Sequence, residues 1–245
     1  MKTLNQTFKS IEVFNVISDI YSQAITGELI GMSNFASLAD TIDDPYEKME
    51  AVEHANSERS HAEGFLAYAK KAGLNITINL KGEYWRRVRT QFLQYAEKND
   101  FIACIIIQEV MLEAFAISMY KDAGNALGGE SKDLFLSIAE EEKEHMEHSI
   151  ELLQAEMRNN PDEFTAKFEE IHFNCMTILS EFSATTDLSG HCGVCHGECM
   201  KNSLHHVGLE ANSLRGNALA LYAKALDTIG IPGEKSIVWI AKLPA

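Results

Sequence analysis

Proline is scarce, at four in 245 residues, and the fifteen glycines are scattered. Those shortages exclude a collagen-like repeat or a linker-rich chain and argue against disorder. Positive charge is also short. Twenty-one Lys and Arg face thirty-six Asp and Glu, a formal net charge of -15, which opposes binding to nucleic acid or anionic membranes and favours basic partners. Metal ions could neutralise part of that acid. No stretch approaches the roughly 20 apolar residues of a membrane helix, so no transmembrane segment is expected. The opening MKTLNQTFKSIEVF lacks the apolar core and cleavage site of a signal peptide. The cytosol is the expected location.

Alternating apolar and polar runs bounded by turn residues are missing too, whereas helical periodicity is nearly continuous. The expectation is an all-α protein: one domain over residues 1–245, a four-helix bundle with additional short helices. Helix one is predicted from about Thr7 to Asp40. Asp44-Pro45 should open helix two, which ends near Gly73. A shorter helix starts at about Gly82, and Asn99-Asp100 caps an apolar helix from Phe101 that the Gly124 to Gly129 stretch breaks. Ser131 opens a helix to about Arg158, and Asn160-Pro161 another with an apolar stripe of Phe164, Phe168, Ile171, Cys175 and Ile178. A Cys/His-rich insertion at about 189–206 precedes a last long helix, Leu209 to Ile229. Cys104 and Cys175, isolated in apolar surroundings, are expected as buried thiols.

Two segments carry chemistry. Glu58-Arg59-Ser60-His61 and Glu142-Lys143-Glu144-His145 each set a Glu and a His three residues apart, so that both project from one helix face. About thirty residues before each pair lies one more glutamate on the preceding core helix, Glu28 and Glu113. Two helices giving one Glu and two giving Glu-x-x-His is the ligand recipe of di-iron and di-manganese bundle proteins. A single pair would mean little. A third, Glu169 with His172, is read as a decoy, because Glu169 lies off the apolar stripe and no core glutamate precedes it. Glu113 sits in a helix apolar on nearly all sides, where an unpartnered carboxylate is costly and calls for a cation or a proton. Glu109 is one turn away, and this local argument does not choose between them. Four carboxylates and two imidazoles form a hard, oxygen-rich set that suits iron or manganese better than a closed zinc site.

With these residues laid out, the chain resembles the cyanobacterial-type aldehyde-deformylating oxygenases, also called aldehyde decarbonylases, a family of ferritin-like di-iron proteins. ITGELIGMSNF, ERSHAEGF, IIIQEVMLEAFAISMY, EEEKEHMEHSIELL and ALALYAKALDTIGI carry the resemblance. It selects Glu113 over Glu109 and implies two iron ions held by Glu28, Glu58, His61, Glu113, Glu142 and His145. It further implies conversion of a long-chain fatty aldehyde, O2 and four electrons to an alkane one carbon shorter plus formate, with ferredoxin as the reductant. Phe35, Phe65, Gln108 and Tyr120 match positions that line or adjoin the substrate channel. Phe35 stands where the family usually has a tyrosine, which removes a polar group near the site.

The segment Ser189 to His206 has no counterpart in that family. Cys192, Cys195 and Cys199 with His196 could form a Cys3His zinc site, a disulfide or redox-active thiol pair, or an unligated loop. Cys192 to His196 also fits the c-type haem attachment pattern, which the lack of an export signal disfavours. Other readings of the chain are a di-iron oxidase or hydroxylase acting on a different small molecule, an iron-storage protein, and a metal-free helical interaction module.

Overall fold

A computed structural model describes residues 10–184 and 199–244, and every regular element among them is helical. Ser10 caps α1 (Ile11–Leu38) by accepting the Val13 N–H. A short 3-10 turn, Ala39–Thr41, leads out of it. Asp44 accepts the Tyr46 and Glu47 N–H groups and Pro45 fills the first turn, so α2 (Pro45–Ala72) starts where its cap and proline dictate. After α3 (Glu83–Ala96), Asp100 caps α4 (Phe101–Ile105) by accepting the Ala103 N–H.

The helix then widens into a π-helical stretch, Ile106–Leu112, before α5 (Glu113–Leu127) resumes the α pitch. Together Phe101–Leu127 is long and apolar enough to cross a membrane, contrary to expectation, but 78% of its most apolar window is buried inside the protein. The expected break at Gly124 falls later. Gly124 stays helical, packed so close to the next helix that a side chain there would meet Phe135 at 3.1 Å. Gly128 and Gly129, with φ of 68° and 56°, reverse the chain. Helix α6 (Gly129–Asn159) thus begins two residues before Ser131, whose hydroxyl accepts the Tyr21 O–H instead of capping.

Helix α7 (Pro161–Ala184) buries the stripe expected of it, Phe164 to Ile178. The expected Cys/His insertion lies partly outside the described residues. Its last part is helical rather than loop, α8 (Met200–Ser203) and a 3-10 turn Leu204–Val207, because Leu204 is drawn into the core. Helix α9 (Ala211–Ile229) stops at Gly230, and a helix not expected from the sequence, α10 (Gly233–Ala241), follows. Buried Trp239 anchors it against Phe168 and His172.

Helices α1 and α2 pair, as do α5 and α6, and the two pairs face each other as a four-helix bundle. Two apolar clusters fill it. One holds Val16 to Ile25, Phe65, Tyr120 and Phe135; the other holds Phe35, Leu38, Ala51, the buried part of the π stretch and Met146 to Leu153. Along α1, α2 and α6 the residues between those clusters include Glu28, Glu58, His61, Glu142 and His145. A polar layer is therefore sealed between two apolar plugs.

Candidate metal centre

The six residues that the resemblance implies as ligands converge in that layer, and none is more than 8% exposed. Glu28, Glu58, His61 and Glu142 bring one ligand atom each within 4.8 Å of one another; Glu113, Glu142 and His145 do the same. Glu142 belongs to both groups. His61 Nδ1 lies 3.2 Å from Glu28 Oε2 and 3.1 Å from Glu142 Oε1, and His145 Nδ1 lies 3.1 Å from Glu142 Oε2.

Burial and mutual repulsion decide the charge of this cluster. Desolvation and the neighbouring Glu142 raise the Glu28 carboxyl, and the same causes push Glu58 and Glu113 well above the carboxylate range. For Glu142, burial acts upward, but hydrogen bonds to His145 and His61 outweigh it and hold the group at about 2. Burial acts downward on His61, yet Glu142 and Glu28 carry it to about 11. The cluster thus retains protons that water would strip from the same groups. Divalent cations can replace those protons: four carboxylates balance the charge of two such ions, and O and N donors are the ligands iron and manganese favour. The residues fit a two-metal centre.

Surrounding groups orient the side chains of the cluster. Glu141 Oε2 lies 3.0 Å from His61 Nε2, which directs the other ring nitrogen into the site. The Tyr120 hydroxyl donates to Glu28 Oε1. Arg89 donates to Asn34, Asn34 to Gln108 at 2.7 Å, and Gln108 to Glu113 at 3.4 Å, a polar chain from α3 to the cluster. Glu141, Arg89 and Asn34 escaped the sequence reading, since nothing in their local pattern marks them as partners of distant residues. Gly31 escaped it as well. A Cβ there would stand 2.4 Å from Glu58 Oε1.

Glu109 and Glu113, expected on one face, part company because of the π stretch. The Glu113 N–H donates to the Gln108 carbonyl five residues back, and this wider turn groups Gln108 rather than Glu109 with Glu113. Glu109 instead accepts from Ser149. The third pair, Glu169 and His172, is remote from the cluster: buried His172 bonds to the Tyr222 hydroxyl at 2.9 Å. Cys104 and Cys175 are buried free thiols, pushed up to about 12 by burial. Cys199 is buried too, while Cys192, Cys195 and His196 lie outside the described residues.

A cavity of about 190 Å³ reaches the cluster. Glu28, Glu58, Glu113 and Glu142 form its polar end; Ile20, Ala24, Phe115, Ala116, Met119 and Leu214 are among its apolar walls. Gln108 and Tyr120 line it as expected. Phe35 and Phe65 do not. Phe65 packs behind Tyr120 at 5.4 Å between ring centres, and Phe35 sets its ring edge against His54 and His145 at 5.1 and 6.2 Å.

Fold and site together define a helical-bundle protein with a buried carboxylate and histidine centre and an apolar pocket opening onto it. The sequence profile of the long-chain fatty aldehyde decarbonylase family matches residues 11–182. The chain belongs to that family. Its fold is also that of a solved Synechococcus protein described as having aldehyde deformylating oxidase activity, with a TM-score of 0.78 over 96% of this chain and 99% of that one, at 17% identity. The architecture is accordingly the ferritin-like bundle expected from the ligand spacing.

Proposed function

We propose that this chain is an aldehyde-deformylating oxygenase, converting a long-chain aldehyde, O2, four electrons and three protons to an alkane one carbon shorter, formate and water. The observation that carries the reading is an apolar cavity ending on the four glutamates, in a chain of the decarbonylase family. Glu28, Glu58, His61, Glu113, Glu142 and His145 would hold two iron ions, with manganese as the alternative pair. Iron bound there would supply the activation of O2 and the change of oxidation state. Ferredoxin in the cytosol would supply the electrons.

The chain's own residues do the rest. The apolar wall takes the alkyl tail, leaving the aldehyde carbonyl at the glutamate-lined end of the pocket. Tyr120 and Gln108, which line the same pocket, hold Glu28 and Glu113 by hydrogen bonds and so keep each carboxylate oriented. Glu141 fixes the direction of the His61 ring. The apolar plugs on both sides exclude water, which strengthens each electrostatic contact in the layer. Phe35, in place of the family's tyrosine, leaves that side of His145 without a hydroxyl.

The test is iron-loaded protein with reduced ferredoxin and a panel of aldehydes, under air and under argon, with alkane and formate quantified. Equimolar alkane and formate under air alone is the expected result. Aldehyde left unchanged under air, with two irons bound, would sink the reading.

A further inference from the structure

A guanidinium and two amides run in single file from α3 to the bundle centre, and only the guanidinium can set their direction. Arg89 is partly buried and gives an N–H to Asn34 Oδ1; no carboxylate among the described residues pairs with it. Asn34, fully buried, gives its Nδ2 to Gln108 Oε1 at 2.7 Å. Gln108 is buried as well. Its Nε2 donates to Glu113 Oε1 at 3.4 Å, and its backbone carbonyl accepts the Glu113 N–H. The file thus joins α3, α1 and the π stretch.

A primary amide is nearly symmetric in shape, so close packing does not choose which of its ends is oxygen. Hydrogen bonding does. A guanidinium has donors and no acceptor, so Arg89 admits only the oxygen of Asn34. Asn34 is then a donor toward Gln108, which answers with its own oxygen and turns its NH2 inward. Reversing Asn34 would set NH2 against guanidinium; reversing Gln108 would set NH2 against NH2 and oxygen against the Glu113 carboxylate, away from water. One inward hydrogen of Gln108 meets Glu113. The other has no partner among the described residues, and Gln108 lines the cavity at its glutamate end.

We propose that Arg89 is a positioning residue which, through Asn34, fixes Gln108 as a hydrogen-bond donor both to Glu113 and to the aldehyde carbonyl. The donation to the carbonyl rests on the aldehyde reading of the pocket, whereas the donation to Glu113 does not. A donor at that place polarises the carbonyl and holds it toward the glutamates. An acceptor there would repel both the carbonyl oxygen and the carboxylate.

Charge and hydrogen-bond direction predict opposite outcomes here. Adding negative charge beside a metal centre strengthens cation binding by Coulomb attraction, whereas reversing the file turns the Gln108 oxygen against Glu113 and weakens it. The full chain, stripped by chelator, is titrated with Mn(II) while the free aqua ion is read by electron paramagnetic resonance. Arg89→Lys keeps a donor-only group and should retain most of the wild-type affinity. Arg89→Glu and Asn34→Asp each put an acceptor where a donor stood, and should bind one Mn(II) about 10–100-fold more weakly. Arg89→Glu, at the partly exposed end of the file, serves should Asn34→Asp fold poorly. Unchanged or tighter binding in either folded variant overturns the proposal, and so does an equal loss in Arg89→Lys. The carbonyl contact is read on a long-chain methyl ketone, carbon-13 labelled at C=O, bound to chains saturated with Mn(II). Its infrared stretch should lie higher in the reversed variants than in wild type, because a donated hydrogen bond is lost; an unmoved band overturns the donation to the carbonyl. Ketone bound by none of the chains counts against the aldehyde pocket, and the Mn(II) ranking then decides the role of Arg89 alone.

Discussion

Gly31 stands where the Glu58 carboxylate fills the space a side chain would take, so a substitution there must move that carboxylate. Gly31→Ala puts a methyl against the carboxylate of Glu58, a proposed ligand whose neighbours are buried. Overpacking of this kind costs about 1–3 kcal/mol, and a ligand turned from its position weakens metal binding by about 10–100-fold. Metal content after dialysis against a fixed free-metal buffer measures it; retention of two ions at wild-type affinity would refute the assignment of Glu58 as ligand. The same residue shows what could be read from sequence. Glu58 and His61 are legible because i and i+3 meet on any α-helix. Gly31 is legible only once α1 and α2 are packed, since its constraint comes from a neighbour 27 positions away.

At the scale of the element, the π stretch Ile106–Leu112 decides which glutamate enters the site. Deleting Val110 should return the segment to α pitch and rotate Glu113 away from Glu142 and His145. Helical content by circular dichroism should hold while about one metal equivalent is lost; full metal content in the deletion would mean that the widened turn does not set the geometry. Nothing in the run IIIQEVML announces a π turn, because its cause is the tertiary demand that Gln108 and Glu113 share a face. Helix α1 offers a second case. Ala24 lines the cavity one turn before Glu28, about 6 Å along the helix axis. Ala24→Phe should shorten the pocket, lowering kcat/KM for long aldehydes at least about tenfold more than for short ones, an effect of one or two kcal/mol of lost tail burial. Equal losses at all chain lengths, measured in competition assays, would place the tail elsewhere.

For the whole molecule, the proton balance of the sealed layer couples stability to pH. His61 is raised from 6.5 to about 11, so the folded metal-free chain keeps a proton that the unfolded chain loses above 6.5. Raised Glu28, Glu58 and Glu113 act in the same direction above their unfolded values. Buried His54 and His172, lowered by desolvation to about 3 and about 4, oppose this only below 6.5. Above 6.5, therefore, the metal-free chain should lose stability as pH rises, with Tm falling by several degrees or more, on the order of 4 °C, by roughly pH 9. Metal binding should release protons and flatten the slope, which differential scanning calorimetry with and without Mn(II) can check. A flat profile in the metal-free chain would contradict the protonated cluster.

Periodicity, caps and the doubled Glu-x-x-His spacing determined the all-helical class, nearly every helix start and Glu28, Glu58, His61, Glu142 and His145 of the polar layer, because each depends on contacts within a few residues of chain. The close packing of α1, α2, the π stretch and α6 alone decided the rest: the choice between Glu109 and Glu113, the supporting Glu141 and Asn34, the retreat of Phe35 and Phe65 from the pocket wall, and the facing pair of His54 and Glu109. Those features arise between helices far apart in sequence, where the cost of burying charge sets which side chains must meet.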